Sequence, residues 1–325
     1  MQHAPWMRRL LAGGLGLAVA LAATLAQAQD YPNKPIRFVL PFPPGSATDL
    51  IARLVGKEMS ETLGQPVVVE NRPGAGGAIA AEFAARSAPD GYTVFVASNT
   101  QYAANPSLFK KLAYDPTRDF LPVTRLSTQP TALLVRPGFP AKDLAEFVAY
   151  ARANPKKLSA GYGASSSQVA VARLQSLAKL DVLGVPYKGI PLAVADVLAG
   201  TVDFTFGDLG AAIAQVNGGK LRALAVTSVQ RSPLTPDWPA VAEMFPGYEV
   251  VGWHAMTVPV GTPRAVIDKL NDAAQKALAK PSTVEALAKL GVTPAPMGPD
   301  ELGPYIKSEV ARWAEMVKEA GIQPE

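Results

Sequence analysis

The sequence predicts an α/β protein of two lobes joined by two chain crossings. Three observations carry that reading. From Ile36 onward, short β-branched or apolar runs alternate with amphipathic stretches, the pattern of a mostly parallel sheet covered by helices. The alternation occurs twice, and a Pro- and Asp-rich passage from Tyr114 to Pro122 separates the two sets. The last three amphipathic segments have no strands of their own to cover, so the economical solution returns them to the first set, with crossings near 130 and near 250.

The chain opens with Arg8 and Arg9 before an apolar run from Leu10 to Leu25, followed by Ala26-Gln27-Ala28. This reads as a secretory signal peptide over 1–28 with Gln29 as the mature start. The run is shorter than the roughly 20 residues of a spanning helix and contains Gly13, Gly14 and Gly16. The first lobe then reads as strand 36–40, helix 48–63, strand 67–70, helix 78–87 and strand 93–97. Leu50, Ile51, Leu54, Val55 and Met59 form one face of helix 48–63, with Ser46 or Thr48 as cap and Gly64 as stop. The second lobe reads as an extended 131–135, helix 143–153, strand 158–160, helix 167–179, strand 182–185, helix 191–199, strand 202–206, helix 210–217 and strand 221–227. A Pro-rich loop leads to an extended 250–258 and helices 263–279, 282–290 and 300–319. The expected division is lobe 1 over 29–130 and 252–325 and lobe 2 over 131–251.

Composition narrows the chemistry. The chain has 325 residues, 48% of them apolar, and no Cys, which excludes disulfides, thiolate metal sites and a Cys nucleophile. Removal of the first 28 residues leaves 297 and takes the net charge from +4 to +2, because that segment carries two Arg and no acid. So small a charge does not suit nucleic acid binding. With His254 the one mature His, a transition-metal site is not expected, nor is any cofactor.

In open α/β sheets ligands bind beyond the carboxyl ends of the strands, so the strand-to-helix loops are the candidate site. In Pro41-Phe42-Pro43-Pro44-Gly45-Ser46-Ala47-Thr48-Asp49 the prolines stiffen the loop. The helix amides around Ala47 and the hydroxyls of Ser46 and Thr48 make an anion site without a basic side chain. The opposing lobe repeats the form in Gly161-Tyr162-Gly163-Ala164-Ser165-Ser166-Ser167-Gln168. Two such termini facing one cleft would clamp a carboxylate. Ser98 and Asn99 after a strand, and Tyr187 with an aromatic wall and a hydroxyl, are further candidates. Asp208 at a strand end would attract an ammonium or repel a second carboxylate, unless it caps helix 210–217; capping is the reading taken.

Two lookalikes fail. Gly74-Ala75-Gly76-Gly77-Ala78-Ile79 has Ile79 where a dinucleotide turn has its third glycine. Gly163-Ala164-Ser165-Ser166-Ser167 lacks the last glycine of a nucleophile elbow, and a triad would need His254, which reads as a packed or cleft-lining residue.

Several segments together resemble one family. They are Tyr31-Pro32-Asn33-Lys34-Pro35-Ile36-Arg37, the loop Pro41 to Asp49, Val69-Glu70-Asn71-Arg72-Pro73-Gly74-Ala75-Gly76-Gly77, and Ala88-Pro89-Asp90-Gly91-Tyr92-Thr93. Asn105-Pro106-Ser107-Leu108, Tyr114-Asp115-Pro116 with Asp119-Phe120, and Pro186-Tyr187-Lys188-Gly189 continue the match in order. The chain resembles the Bug family of periplasmic solute receptors, the extracytoplasmic component of tripartite tricarboxylate transporters. The resemblance covers essentially the whole mature chain. It implies a two-lobed Venus flytrap holding a small organic carboxylate by main-chain amides, hydroxyls and ordered water, here at Ser46, Ala47, Thr48, Ala164, Ser165 and Ser166. Many relatives have a glycine run where this chain has Ser46-Ala47, and a Gly-Ser-rich turn where it has Tyr162. The expected protein is a non-enzymatic, monomeric periplasmic receptor with a membrane permease as partner. A secreted α/β hydrolase and a carboxylate sensor for a signalling membrane protein are the competing readings.

Overall fold

A computed structural model describes residues 31–324 of the chain. The expected signal segment 1–28 and the Gln29 start lie outside the described residues. Within them, β1 (Ile36–Leu40), α1 (Ala47–Leu63), β2 (Val67–Asn71), α2 (Ala78–Ala85) and β3 (Thr93–Ser98) follow one another as the hydrophobic pattern requires. A wide turn at Thr100–Ala104 leads into the short α3 (Asn105–Leu108) and then β4 (Phe120–Val135). The second half runs through α4 (Leu144–Ala153), β5 (Ser159–Tyr162), α5 (Ser165–Ala178), β6 (Leu183–Pro186), α6 (Ile190–Ala199), β7 (Phe204–Asp208), α7 (Leu209–Asn217) and β8 (Arg222–Val226). A one-turn α8 (Val241–Met244) precedes β9 (Val251–Pro259), and the chain closes with α9 (Arg264–Ala279), α10 (Pro281–Lys289), β10 (Thr293–Met297) and α11 (Pro299–Glu319).

The strands run in the order β2-β1-β3-β9-β4-β7-β5-β6, with β10 and β8 also on β4. The pairings of β1 with β2 and β3, and of β5 with β6 and β7, are parallel, so in each half the strand C-termini share one edge. β4 is the strand common to both halves. It pairs with β9 from Phe120 to Pro130 and with β7 from Thr131 to Val135. The extended stretch expected at 131–135 is therefore the end of a 16-residue strand. Its upstream part is masked in the sequence by Pro122 and Pro130. The first sits at a register shift and the second where the partner changes, positions at which a missing N–H is tolerated. The final helices also have a strand among them, contrary to expectation: β10 pairs antiparallel with β4, although two of its five residues are prolines.

The return crossing is stitched to the outgoing one. Thr131 N–H donates to Thr227 Oγ1 at 2.9 Å, Thr227 N–H donates to Thr131 O at 2.9 Å, and Val250 N–H donates to Thr227 O at 3.0 Å. Apolar packing then fixes each half. Ile36, Phe38, Ile51 and Val55 close against Ile267 and Leu270 of α9, while Ala132, Leu134, Val194 and Val197 pack in the second half. A third core, containing Phe147, Leu174, Trp253 and Trp313, runs across both. Glu309 of α11 is 4% exposed, and its carboxylate accepts from the indoles of Trp253 (2.9 Å) and Trp313 (3.3 Å) and from Arg312 (3.1 Å). Those three donors offset the cost of burying its charge. α11 also reaches the second half, where Glu319 pairs with Arg173 of α5 at 3.8 Å.

Candidate ligand-binding cleft

The loop after β1 folds as the sequence suggests and then uses up most of its own donors. Ser46 is the N-cap of α1, and its Oγ accepts from Asp49 N–H at 3.3 Å. Asp49, 2% exposed, turns its carboxylate back on the loop and accepts from Gly45 N–H (3.0 Å), Asn71 Nδ2 (2.9 Å) and Arg53 Nε (3.0 Å). Burial alone would raise this carboxyl; the bonds from Arg53, Gly45 and Asn71 outweigh burial and hold it below the usual carboxylate range. Asp49 thus occupies part of the position an external anion would take. Among the described residues the amides of Ala47 and Thr48, and the Thr48 hydroxyl, have no hydrogen-bond partner.

The loop after β5 has the same outline and a different interior. Ala164 is the N-cap of α5 and has no side chain with which to cap it. Ser167, fully buried, accepts from Gly163 N–H and Ala164 N–H, both at 3.2 Å, and donates to Ala164 O at 2.8 Å. This tightens the turn from below and leaves the amides of Ser165, Ser166 and Ser167 and the hydroxyls of Ser165 and Ser166 without partners among the described residues. Gly163 is required here, because a Cβ on it would lie 2.1 Å from Gly189 C. The result is a helix N-terminus whose donors at Ser165 and Ser166 and positive dipole end remain available.

A pocket of about 220 Å³ opens at this terminus. Tyr162, Ala164, Ser165 and Tyr187 line it from the second half, facing Gly76 and Phe109 of the first. Ser46, Ala47 and Thr48 do not line it, so the two loops do not close one pocket in this conformation. Gly76, Phe109 and Gln168 were not candidates in the sequence. The run Gly74 to Gly77, which the sequence offers as a failed nucleotide turn and as part of the family resemblance, takes positive φ at all four residues, a backbone shaped for close approach. The Tyr187 hydroxyl is not free as the sequence suggested: it donates to Asp196 Oδ2 at 2.6 Å, and that bond, ahead of burial, pushes it up to about 12. Its ring remains a wall.

Ser98 and Asn99 sit at the cleft end of β3. Ser98 Oγ donates to Gln101 Oε1 (3.3 Å) and accepts from Thr100 N–H (3.2 Å). Asn99 Oδ1 accepts from Trp253 N–H at 3.3 Å, while its Nδ2 is buried with no hydrogen-bond partner among the described residues. Asp208 corrects the sequence reading. It holds the N-cap position of α7, but its side chain makes no cap bond, because its backbone (φ −58°, ψ 135°) does not bring the carboxylate over the first-turn amides. Burial raises its carboxyl to about 6.

A larger open groove of about 990 Å³ lies at the opposite end of β1 and β3, beside Lys34, Arg37, Arg72, Phe83 and Arg86. Its cations are already matched: Lys34 by Asp90, Arg37 and Arg72 by Glu70, Arg86 by Glu82. It offers no unpaired donor set comparable to the α5 terminus. His254 is 5% exposed, its Nδ1 is 3.1 Å from Ser127 Oγ, and burial lowers its pKa to about 4. Ser127 is itself fully buried, so this pair has no access to a substrate. Among the described residues no cluster of His, Asp or Glu could hold a metal ion, and no helix is long and apolar enough to cross a membrane.

Comparison with known proteins adds an independent line. The family model described as tripartite tricarboxylate transporter family receptor matches residues 51–322. BugT of Bordetella pertussis is 36% identical over 322 residues, covering 97% of this chain and 98% of that protein. An R. palustris protein solved with adipate superposes with a TM-score of 0.87 at 33% identity, covering 91% of this chain and all of that one. MatC from Rhodopseudomonas palustris, solved with bound malate, gives 0.81 at 35% identity over 88% of this chain and all of that one.

Proposed function

We propose a ligand and a mode of binding for this chain, which belongs to the tripartite tricarboxylate transporter receptor family and is a two-lobed solute-binding receptor. The ligand is a small organic carboxylate taken up between the lobes, lobe 1 comprising 29–130 and 252–325 and lobe 2 comprising 131–251. Its carboxylate sits on the amides and hydroxyls of Ser165 and Ser166 beside Ala164, and closure brings the free amides of Ala47 and Thr48 against it. Tyr162 and Tyr187 wall the pocket, with Ser46, Ser98, Asn99 and Asp208 around it. The observation that carries the reading is the uncapped N-terminus of α5, whose unpartnered donors open onto a pocket walled by both lobes. The adipate and malate of the two solved relatives support an acid. Charge-assisted hydrogen bonds contribute about 1.5–3 kcal/mol each, so four or five account for micromolar affinity after ordering costs.

The protein works as a monomer without a cofactor and without catalysis, is periplasmic after removal of 1–28, and passes its ligand to an integral membrane permease. A thermal-shift screen against organic acids and their methyl esters tests the binding. An acid at about 100 times its dissociation constant adds roughly 2.7 kcal/mol of stability. Esters that stabilise as well as the acids would remove the carboxylate from the account.

A further inference from the structure

The chain just past α11 forms part of the pocket at the α5 terminus. Gly321 takes φ 67°, its N–H donates to Lys318 O at 3.0 Å, and Ile322 N–H donates to Val317 O at 3.1 Å. This pair of bonds is the closure of a helix C-terminus by a left-handed glycine. It turns Ile322 back onto the core that contains Val317, the apolar contact that accompanies such an ending. Glu319, the last residue of α11, lies 3.8 Å from Arg173 of α5, and Arg173 Nη2 also donates to Gly247 O at 2.8 Å. The segment is thus fixed by its own helix and by α5, the helix whose N-terminus carries the free donors. Beyond the turn, Ile322 and Gln323 line the pocket of about 220 Å³ together with Phe109, Ser165, Gln168 and Tyr187.

No charged side chain lines that pocket. The Tyr187 hydroxyl is already held by Asp196, whereas the side-chain amides of Gln168 and Gln323 have no hydrogen-bond partner among the described residues. Gln168 stands three residues along α5 from Ser165 and so shares its face of the helix. Gln323 comes from the other half of the molecule. A pocket of this size admits one small molecule. With a carboxylate on the α5 terminus, the remaining atoms of that molecule meet Phe109, Ile322 and the two idle amides. We propose that Gln323 is a specificity-determining residue: the segment after α11 is the wall on which the far end of the ligand rests, and the Gln323 amide bonds to that end without offering it a charge. This rests on the carboxylate-receptor reading above and adds to it the part of the chain that selects the rest of the ligand. The Gly321 turn and Ile322 hold the wall in place, and Gln323 makes the contact.

Charge placed at Gln323 tests this, because the side chain is exposed and makes no bond that the fold needs. Wild type, Gln323→Arg and Gln323→Glu are titrated calorimetrically with pairs that share one carboxylate and differ only at the far end. The pairs are succinate and succinamate, glutarate and glutaramate, adipate and adipamate, and terephthalate and its monoamide. In each pair that binds, the ratio of the two affinities cancels whatever happens at the α5 terminus. Gln323→Arg should shift that ratio toward the dicarboxylate by about fivefold or more, because the guanidinium gives the second carboxylate a charge-assisted partner. Gln323→Glu should shift it toward the monoamide by a similar factor, through like-charge repulsion. Lys318→Gln makes the same change of net charge as Gln323→Glu at an exposed position on α11 outside the pocket, and should leave the ratio within about twofold. A ratio that stays within twofold in both Gln323 variants, or that Lys318→Gln moves as far, would overturn the wall while leaving the receptor reading intact. No binding by any acid would overturn both.

Discussion

The loops that open α1 and α5 look alike in sequence: each follows a strand, contains glycine, and ends in hydroxyl residues at a helix start. Their interiors differ. In the first, Ser46 caps the helix and the Asp49 carboxylate takes Gly45 N–H, so the loop carries its own anion. In the second, Ala164 leaves the cap position empty and Ser167 braces the turn from beneath. The first terminus is partly satisfied by its own side chains, with the amides of Ala47 and Thr48 left over, whereas the second keeps its first-turn donors without a side-chain cap. The lesson is that a helix N-terminus becomes a binding site through the absence of a cap as much as through the presence of hydroxyls.

The strongest way to break this contrast is to give the second loop what the first has. Ala164→Asp places a carboxylate at the α5 cap, and acid binding should fall by about 100-fold or more, because a like charge then holds the amides. The same change should raise folding stability by about 1 kcal/mol, the usual worth of a cap. A paired calorimetric and thermal measurement reads both. Reduced binding together with reduced stability would mean that the loop had merely been distorted.

Removing the internal anion of the first loop is the converse. Asp49→Ala strips partners from Gly45, Asn71 and Arg53 and should destabilise by about 2–3 kcal/mol in chemical denaturation. Because the folded Asp49 carboxyl is held below its ordinary value, its contribution is fully present above the unfolded pKa. That contribution is lost as pH falls through the lower folded value. The gap between wild type and Asp49→Ala should therefore close on acidification.

Asp208 has the opposite sign. Its folded carboxyl is raised to about 6 against an ordinary 3.8, so ionising it weakens the fold as pH rises across that window. In the absence of ligand, Asp208→Asn should stabilise the protein at pH 7 by roughly 1–2 kcal/mol, and that advantage should vanish below about pH 3, where both states are protonated. The smallest effect belongs to the hydroxyls. Ser165→Ala or Ser166→Ala should each weaken acid binding by about 1 kcal/mol, since the backbone amides at these positions remain.

Much of this architecture was legible because its signals are local. Helix α1 is announced by its apolar face, its Ser46 cap and its Gly64 stop, and the structure places Gly64 in the left-handed region that ends the helix. β4 was only partly legible, since two prolines interrupt the run that spans both lobes. β10 was not, with Pro294 and Pro296 arguing against any strand. At the candidate site, hydroxyls next to helix starts could be read directly, but bonding partners could not. Asp196 claims the Tyr187 hydroxyl from nine residues away, Asp49 claims the first loop, and Asp208 declines the cap that its position suggests. Gly76 and Phe109 escaped notice because their place in the pocket depends on how one lobe faces the other.

The central claim is that an external carboxylate takes the donors Ala164 leaves free at the start of α5. A crystal structure of the protein with the tightest-binding acid from the screen tests this most directly. The account predicts a carboxylate oxygen about 3 Å from the amide nitrogens of Ser165 and Ser166, with Asp49 still bonded to Gly45. A carboxylate found on the arginines beside Phe83, or one that displaces Asp49 from the first loop while the α5 terminus stays empty, would contradict it.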